Sequence, residues 1–119
     1  MSRILIIEKD RAVRLLLKEF FRGRGYTVFT SSGTREALKT AGRSKPDLVI
    51  IDLLTIGLGN DDVVGAIKRL SPTAKFIGIS GIDDWKRTSR INGINGLDFL
   101  LEKPFDLKVF SEMVDETLK

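Results

Sequence analysis

Three polar side chains stand at or just after the ends of short apolar runs: Asp52, Ser80 and Lys103. An aspartate can accept a phosphoryl group and form an acyl phosphate. A serine hydroxyl can donate a hydrogen bond to one phosphoryl oxygen, and a lysine ammonium can neutralise another. We therefore predict that the three side chains act together, with Asp52 as the nucleophile.

The runs that precede these residues predict the strands of a sheet. Two of them, Ile4–Ile7 and Leu48–Ile51, are unbroken, apolar and rich in β-branched residues. This composition is typical of strands that are buried on both faces. The segments Lys75–Ser80 and Phe99–Glu102 predict two more strands, and the β-branched and aromatic segment Tyr26–Thr30 predicts an edge strand.

Helical patterns fill the intervals between these strands. Capping residues, apolar spacing and helix-breaking glycines or prolines set the expected bounds. The first predicted helix is capped by Asp10 and stopped by Gly23 and Gly25, and the second is capped within Ser31–Thr34 and ended by Gly42. The third is capped by Asn60 or Asp61 and is followed by Pro72. A polar helix over Asp83–Arg90 and a last helix capped by Asp106 complete the set.

Five alternations of strand and helix predict an α/β fold, a flavodoxin-like (βα)5 three-layer sandwich with a five-stranded parallel sheet in the order 2-1-3-4-5. We expect one domain over residues 1–119. In this topology the carboxyl ends of four strands meet at one edge of the sheet. Glu8, Lys9 and Asp10 are therefore expected beside the three residues named above.

Composition restricts the chemistry further. The chain has no cysteine and no histidine, which excludes disulfides, thiolate or imidazole catalysis and nearly all zinc sites. It has no apolar stretch long enough to cross a bilayer and no signal-peptide pattern, so we expect a cytoplasmic protein without membrane contact. The net charge of +4 is interpreted as a solvated surface, and direct binding to nucleic acid is not expected.

Over its whole length the chain resembles a bacterial response-regulator receiver domain. The matching stretches are Ile4–Glu8, Pro46–Asp52, Ile79–Gly81 and Lys103–Phe105. The resemblance implies that Asp52 is the phosphoacceptor, that Ser80 is a switch hydroxyl, that Lys103 contacts the phosphoryl group and that the Lys103–Pro104 bond is cis. It also implies a two-component system with a sensor histidine kinase or phosphotransfer protein as donor, and an output domain or partner reached through the fourth helix, fifth strand and fifth helix.

Three positions depart from the family pattern. Receivers carry a second acidic residue, a Mg²⁺ ligand, where this chain has Lys9, and an ammonium cannot coordinate a cation. We therefore expect Mg²⁺ binding through Glu8 and Asp52 to be weak or lost, with the charges of Lys9 and Lys103 balancing the two carboxylates. Ile56 replaces a usual proline, and Leu100 replaces the aromatic switch residue, while Phe99 is expected to face the other side of its strand.

Two functions follow from these observations. The first is a phosphorylation-driven switch, which the retention of Asp52, Ser80 and Lys103 favours. The second is a phosphate-independent pseudo-receiver that serves as a docking module, which Lys9 and the other departures favour. A cofactor carrier ranks below both because no glycine-rich phosphate-binding turn follows the first strand. Trp85, the single tryptophan, is interpreted either as a locally packed residue or as a partner anchor. In a working switch we expect its fluorescence to report the movement of Ser80.

Overall fold

The computed structural model describes residues 2–56, 62–81 and 96–119. A five-stranded parallel sheet with the order β2-β1-β3-β4-β5 forms its centre, which confirms the predicted topology. The strands are β1 (Arg3–Ile7), β2 (Thr27–Ser31), β3 (Leu48–Asp52), β4 (Lys75–Ser80) and β5 (Phe99–Glu102).

Five helical segments accompany the sheet within the described ranges. They are α1 (Arg11–Gly23), α2 (Thr34–Ser44), α3 (Leu53–Ile56), α4 (Asp62–Leu70) and α5 (Leu107–Thr117). The predicted helix over Asp83–Arg90, with Trp85, and the predicted caps Asn60 and Asp61 lie outside the described residues. No helix within these ranges is both long and apolar enough to cross a membrane.

Strand register brings the expected polar residues to one edge of the sheet. Asp52 pairs with Ile79, next to Ser80, and Ser80 pairs with Glu102, next to Lys103. Because all the strands are parallel, their carboxyl ends lie at the same edge. The alternation of side chains along each strand then decides which of them reach the space above that edge.

Apolar side chains cover both faces of the sheet. On one face, β-strand residues pack against α2 and α4; on the other, they pack against α1 and α5. The strand β3 is buried at all five positions, and so are the last four residues of β1. This double burial explains why these strands are continuous apolar runs rather than alternating patterns.

The helix α2 is longer than predicted. Gly42 does not end it; the helix continues to Ser44, and Lys45 follows in the left-handed conformation with φ 49°. The amide of Lys45 donates to Ala41 O, and its ammonium donates to Leu70 O at the end of α4. Packing of the buried Ala41 and Ser44 therefore outweighs the helix-breaking tendency of one glycine.

Two smaller expectations also need correction. The edge strand β2 runs from Thr27 to Ser31, one residue later than the predicted range. The residue preceding α2 is Gly33, which lies within the predicted range Ser31–Thr34 but makes no side-chain capping bond. The Ser31 hydroxyl donates to Gly33 O instead. The predicted caps Asp10 and Asp106 are confirmed, since their carboxylates accept amide hydrogens of the first turns of α1 and α5.

The chain turns into a short helix immediately after Asp52, ahead of the helix that the sequence predicts from Asn60 or Asp61. The single turn α3 occupies Leu53–Ile56. The amide of Leu54 donates to Asp52 Oδ1 at 2.9 Å, so the aspartate side chain itself supports the start of this turn.

Candidate functional site

The centre of the candidate site is an ion pair between Asp52 and Lys103. The ammonium Nζ of Lys103 lies 2.7 Å from Asp52 Oδ2. The Asp52 side chain is only 6% exposed, whereas that of Lys103 is 33% exposed, so the pair opens to solvent through the lysine. Both residues lie at the edge of the sheet that the sequence predicts for them, and the structure brings them into contact.

Both oxygens of the Asp52 carboxylate accept a hydrogen bond. Oδ1 receives the amide hydrogen of Leu54, and Oδ2 receives the ammonium of Lys103. Burial by itself would raise the pKa of Asp52, but hydrogen bonds from Glu8 and Lys103 outweigh burial and hold that pKa below its usual value. The carboxylate is thus ionised and fixed in orientation.

Glu8 is the second buried carboxyl of the site, at 3% exposure. Burial raises the pKa of Glu8 to about 7, and its hydrogen bond with Asp52 acts in the same direction. Its Oε1 accepts the amide of Asp10 at 3.0 Å. Its buried Oε2 meets no donor among the described residues while both carboxyls are ionised, because two carboxylates offer only acceptors.

A proton shared between Glu8 and Asp52 satisfies Oε2, and so does a cation. A hydrogen bond between Glu8 and Asp52 forms only when one of the two carboxyls is protonated. The buried oxygen therefore marks a place for a positively charged group beside Asp52.

Ser80 lies at the last position of β4 and is 3% exposed. Its hydroxyl donates to Gly81 O at 3.4 Å, which is at the long limit for such a bond. A small rotation of the side chain would exchange this weak local bond for a stronger acceptor. Ser80 is thus placed at the edge of the sheet as predicted, with a hydroxyl that is easily redirected.

Lys9 follows Glu8 and is exposed. The backbone of this loop is bound by Arg14, whose Nη1 donates to Glu8 O at 3.0 Å and to Lys9 O at 3.4 Å. Asp10 caps α1 rather than entering the site. The expected compensation of Glu8 by Lys9 stays a prediction, because burial and Asp52 already account for the direction of the pKa shift of Glu8.

Three features of the site were not apparent from the sequence. The Leu54 amide and the Arg14 side chain are local contacts whose geometry no residue pattern specifies. An open cleft of about 670 Å³ next to Lys103 was also not predicted. Leu16, which is 55% exposed, and Phe105 line this cleft. The available signal was the run of three leucines at positions 15–17, which one face of a helix cannot bury completely.

Further predictions at this edge concern the Lys103–Pro104 peptide bond and the faces of β5 on which Phe99 and Leu100 lie. The Lys103–Pro104 peptide bond is cis, as predicted. Phe99 pairs with Ile77 and Leu100 with Gly78, so the two side chains leave opposite faces of β5. Leu100 packs on the face of α2 and α4, while Phe99 is 45% exposed. The side chain of Ile56 lies outside what the structure describes.

A family model described as "Response regulator receiver domain" matches residues 4–115, nearly the whole chain. The chain belongs to this family. It is a receiver domain of two-component response regulators, and it acts in phosphorylation-based signalling; the phosphate-independent docking function is not favoured. Receiver domains are signalling modules that work with histidine kinases or phosphotransfer proteins and with output domains.

Curated relatives agree with this assignment. The receiver is 24% identical over 117 residues to sporulation initiation phosphotransferase F of Bacillus subtilis, covering 98% of this chain and 94% of that protein. It is 31% identical over 108 residues to the KDP operon transcriptional regulatory protein KdpE of Escherichia coli, covering 90% of this chain and 47% of that protein. The chain thus spans nearly all of one relative but about half of the other.

Solved structures show the same fold. A response regulator receiver domain protein from Clostridium thermocellum superposes with a TM-score of 0.83 at 22% identity, over 99% of this chain and 94% of that one. The receiver domain of the hybrid histidine kinase CckA superposes with a TM-score of 0.79 at 28% identity, over 99% of this chain and all of the other.

Proposed function

We propose that Asp52 of this receiver accepts a phosphoryl group from a histidine kinase or phosphotransfer protein. The observation that carries the proposal is the buried, ionised Asp52 carboxylate with Lys103 Nζ at 2.7 Å. A carboxylate oxygen attacks phosphorus, the bond from phosphorus to the donor breaks, and the donor leaves with the electron pair. The product is an acyl phosphate on Asp52.

Lys103 and Ser80 act on this reaction by electrostatics and hydrogen bonding. The ammonium that now binds Asp52 Oδ2 lies close enough to neutralise a phosphoryl oxygen as charge accumulates there. Ser80 then turns its hydroxyl from Gly81 O to another phosphoryl oxygen, since a charged acceptor binds more strongly than a carbonyl at 3.4 Å. This exchange couples phosphorylation to the segment that follows β4.

We expect this site to bind Mg²⁺ with low affinity. Glu8 contributes an unpaired buried oxygen and Asp52 a second carboxylate, and Mg²⁺ in proteins is held by one or two carboxylates plus water and phosphate. Within the described ranges, however, no three acidic side chains gather into a metal site. When bound, Mg²⁺ would neutralise the developing phosphoryl charge and orient the acceptor. Glu8 and Asp52 are the residues that would hold it.

The surface beside Lys103 suits the donor protein. The cleft of about 670 Å³ is lined by Leu16 of α1 and by Phe105, and it is open toward Lys103 itself. Docking of an apolar helix face there would place the donor group next to Asp52. On β5 and α5 the exposed Phe99 and Val109 supply the output surface that the family pattern implies.

The test is incubation with phosphoramidate or acetyl phosphate, with and without Mg²⁺, followed by intact-mass measurement. We expect a gain of one phosphoryl group that is absent in Asp52→Asn. Lys103→Met should slow incorporation by roughly 10²-fold, as expected for loss of one charge-stabilising group. The exposed Lys108→Met serves as the charge-matched control and should react at the wild-type rate. Phosphorylation of Asp52→Asn at the same rate would refute the assignment.

A further inference from the structure

The strand β2 has a strand neighbour on one side only within the described part of the chain. Its backbone bonds to β1 are fixed by Thr27, whose amide donates to Ser2 O, and by Ser31, whose carbonyl accepts the amide of Glu8. Because successive residues of a strand direct their backbone groups to alternate sides, Val28 and Thr30 direct their N–H and C=O groups away from the sheet. The free edge therefore offers two donors and two acceptors in an extended array.

A groove of about 550 Å³ lies along this free edge. Val28 and Thr30 line it, together with Lys18 of α1, Arg43 of α2 and Arg3 at the start of β1. The three cations come from three separate elements and converge on the same strand. The groove thus combines unpaired backbone groups with a positive rim.

The part of the chain that contains β2 carries most of the excess positive charge. Residues 1–45, which contain the whole β1-α1-β2-α2 unit, hold eleven lysines and arginines against four acidic residues. Residues 46–119 hold nine against twelve. Such an asymmetry favours an anionic partner at the β2 side.

The strand itself lacks the usual protection of an exposed edge. The segment Thr27–Ser31 contains no lysine and no proline, the residues that commonly prevent an edge strand from pairing. Protection comes instead from the flanking Lys18, Arg43 and Arg3. These side chains repel a second copy of the same edge, since pairing two β2 strands would bring six cations together, but they attract an acidic strand.

We propose that the β2 edge binds an extended acidic peptide segment of a partner protein, which adds as a further strand next to Val28 and Thr30. Backbone hydrogen bonds provide affinity, and the cationic rim selects acidic side chains over neutral or basic ones. This site lies apart from Asp52 and is independent of phosphorylation, so it adds a second, constitutive contact to the receiver.

The proposal can be tested with a dye-labelled, acetylated peptide of alternating glutamate and valine, about six residues long, in a fluorescence-anisotropy titration. We expect saturable binding that weakens with added salt, and no binding of the corresponding lysine–valine peptide. Bound peptide should slow amide hydrogen exchange at Val28 and Thr30. Equal binding of the lysine peptide would overturn the proposal.

Four substitutions, one of them a control, separate strand addition from general charge attraction. Thr30→Pro removes one outward N–H and leaves the ladder to β1 intact, because proline is tolerated on the solvent side of an edge strand. It should weaken peptide binding roughly tenfold, as should Lys18→Glu or Arg43→Glu. Lys75→Glu makes the same charge change at the exposed start of β4 and should leave binding unchanged. Circular dichroism verifies that each variant is folded.

The same binding measurements distinguish the acidic peptide from other molecules that could occupy the groove. Unchanged affinity in folded Thr30→Pro would show adsorption by charge alone and would overturn the strand-addition mode. Tighter binding of a single-stranded oligonucleotide, lost in Arg43→Glu, would assign the groove to nucleic acid instead. A concentration-dependent dimer that competes with the peptide would assign the edge to a second copy of the chain. Absence of any peptide binding at low salt would refute the site.

Discussion

At the scale of single residues, Asp52 has both a structural and a chemical task. Its Oδ1 accepts the Leu54 amide that begins α3, and its Oδ2 accepts the Lys103 ammonium. These two contacts remove the rotational freedom of the side chain, so the nucleophile is positioned before any donor binds. Glu8 adds a second buried carboxyl, and we propose that the lysine after it, Lys9, weakens metal binding there.

Replacing Lys9 with aspartate should therefore strengthen Mg²⁺ binding. The substitution adds a carboxylate and removes an ammonium next to Glu8 and Asp52. We expect the Mg²⁺ affinity to rise roughly tenfold or more, because changing a residue that merely supports a metal ligand already alters the affinity by about that factor. Isothermal titration calorimetry with MgCl2 on wild type and Lys9→Asp measures it. Lys39→Asp, on the exposed face of α2, is the charge-matched control. Identical Mg²⁺ affinity in wild type and Lys9→Asp would refute a role of position 9.

At the scale of elements, contacts with neighbouring elements override some local signals. The helix α2 continues through Gly42 because Ala41 and Ser44 are buried and because Lys45 closes the helix with bonds to Ala41 O and Leu70 O. Gly42 therefore lies inside a helix, in a place where glycine provides no conformational advantage.

Substitution Gly42→Ala should stabilise the receiver. An added Cβ meets no heavy atom within 4 Å, and alanine in a helix interior is favoured over glycine by about 0.5–1 kcal/mol. Urea denaturation should show a higher midpoint with an unchanged slope. Gly25→Ala is the contrasting control: Gly25 has φ +96°, which alanine adopts only with strain, so this variant should be less stable than wild type. A lower midpoint for Gly42→Ala would contradict the helical placement.

The connection between the start of β2 and α5 depends on Tyr26. The Tyr26 hydroxyl donates to Asp115 Oδ1, and Arg24 Nη2 lies 2.8 Å from Asp115 Oδ2. Burial and the bond to Asp115 together raise the pKa of Tyr26 to about 12. Because this folded-state pKa is raised, the stability gained from the neutral phenol is complete below about pH 10 and is lost as the pH rises toward about 12.

Tyr26 is the only tyrosine, so its ionisation can be followed directly by ultraviolet absorbance at alkaline pH. We expect a midpoint clearly above that of free tyrosine, which Asp115→Asn should lower because the anionic acceptor is removed. Glu116→Gln changes a neighbouring exposed carboxylate and should leave the midpoint in place. Circular dichroism over the same pH range separates ionisation from unfolding. A midpoint near that of free tyrosine in the folded wild type would refute the raised pKa.

At the scale of the whole molecule, the sheet separates the core into two halves, and the half that contains α1 and α5 adjoins the cleft beside Lys103. The half that contains α1 and α5 is rich in aromatic contacts: the Phe110 ring lies 5.2 Å from that of Phe21 and 5.1 Å from that of Phe105. Phe105 is also part of the cleft beside Lys103. Packing in this half therefore supports the proposed docking surface directly.

Truncation of Phe110 should be among the most costly single changes. The side chain is fully buried, and Phe110→Ala should destabilise the receiver by about 3–5 kcal/mol. This is a large part of the total stability of about 5–15 kcal/mol that is usual for a domain. The neighbouring Val109 is 52% exposed, so Val109→Ala should change stability by no more than about 0.5 kcal/mol. Urea denaturation of the two variants checks the difference; equal losses would contradict this placement of the core.

The sequence alone was sufficient to predict the sheet and the edge of the sheet at which the candidate site residues lie. Buried parallel strands require continuous apolar runs, and these are visible at Ile4–Ile7 and Leu48–Ile51. Parallel topology then brings the residues after such runs to one edge, which placed Asp52, Ser80 and Lys103 together without coordinates. The Asp10 and Asp106 caps were also predictable, because capping is a contact between residues two or three apart.

Tertiary structure alone decided the features that depend on distant contacts. The end of α2 at Ser44 follows from packing against α4, since a single glycine costs less than that packing gains. The ionisation of Glu8 follows from burial beside Asp52, which no sequence spacing measures. The groove at β2 exists because Arg3, Lys18 and Arg43, far apart in the chain, converge on one free strand edge. Local patterns encode elements, whereas the pKa values, the helix ends and the surfaces arise from which elements the fold brings into contact.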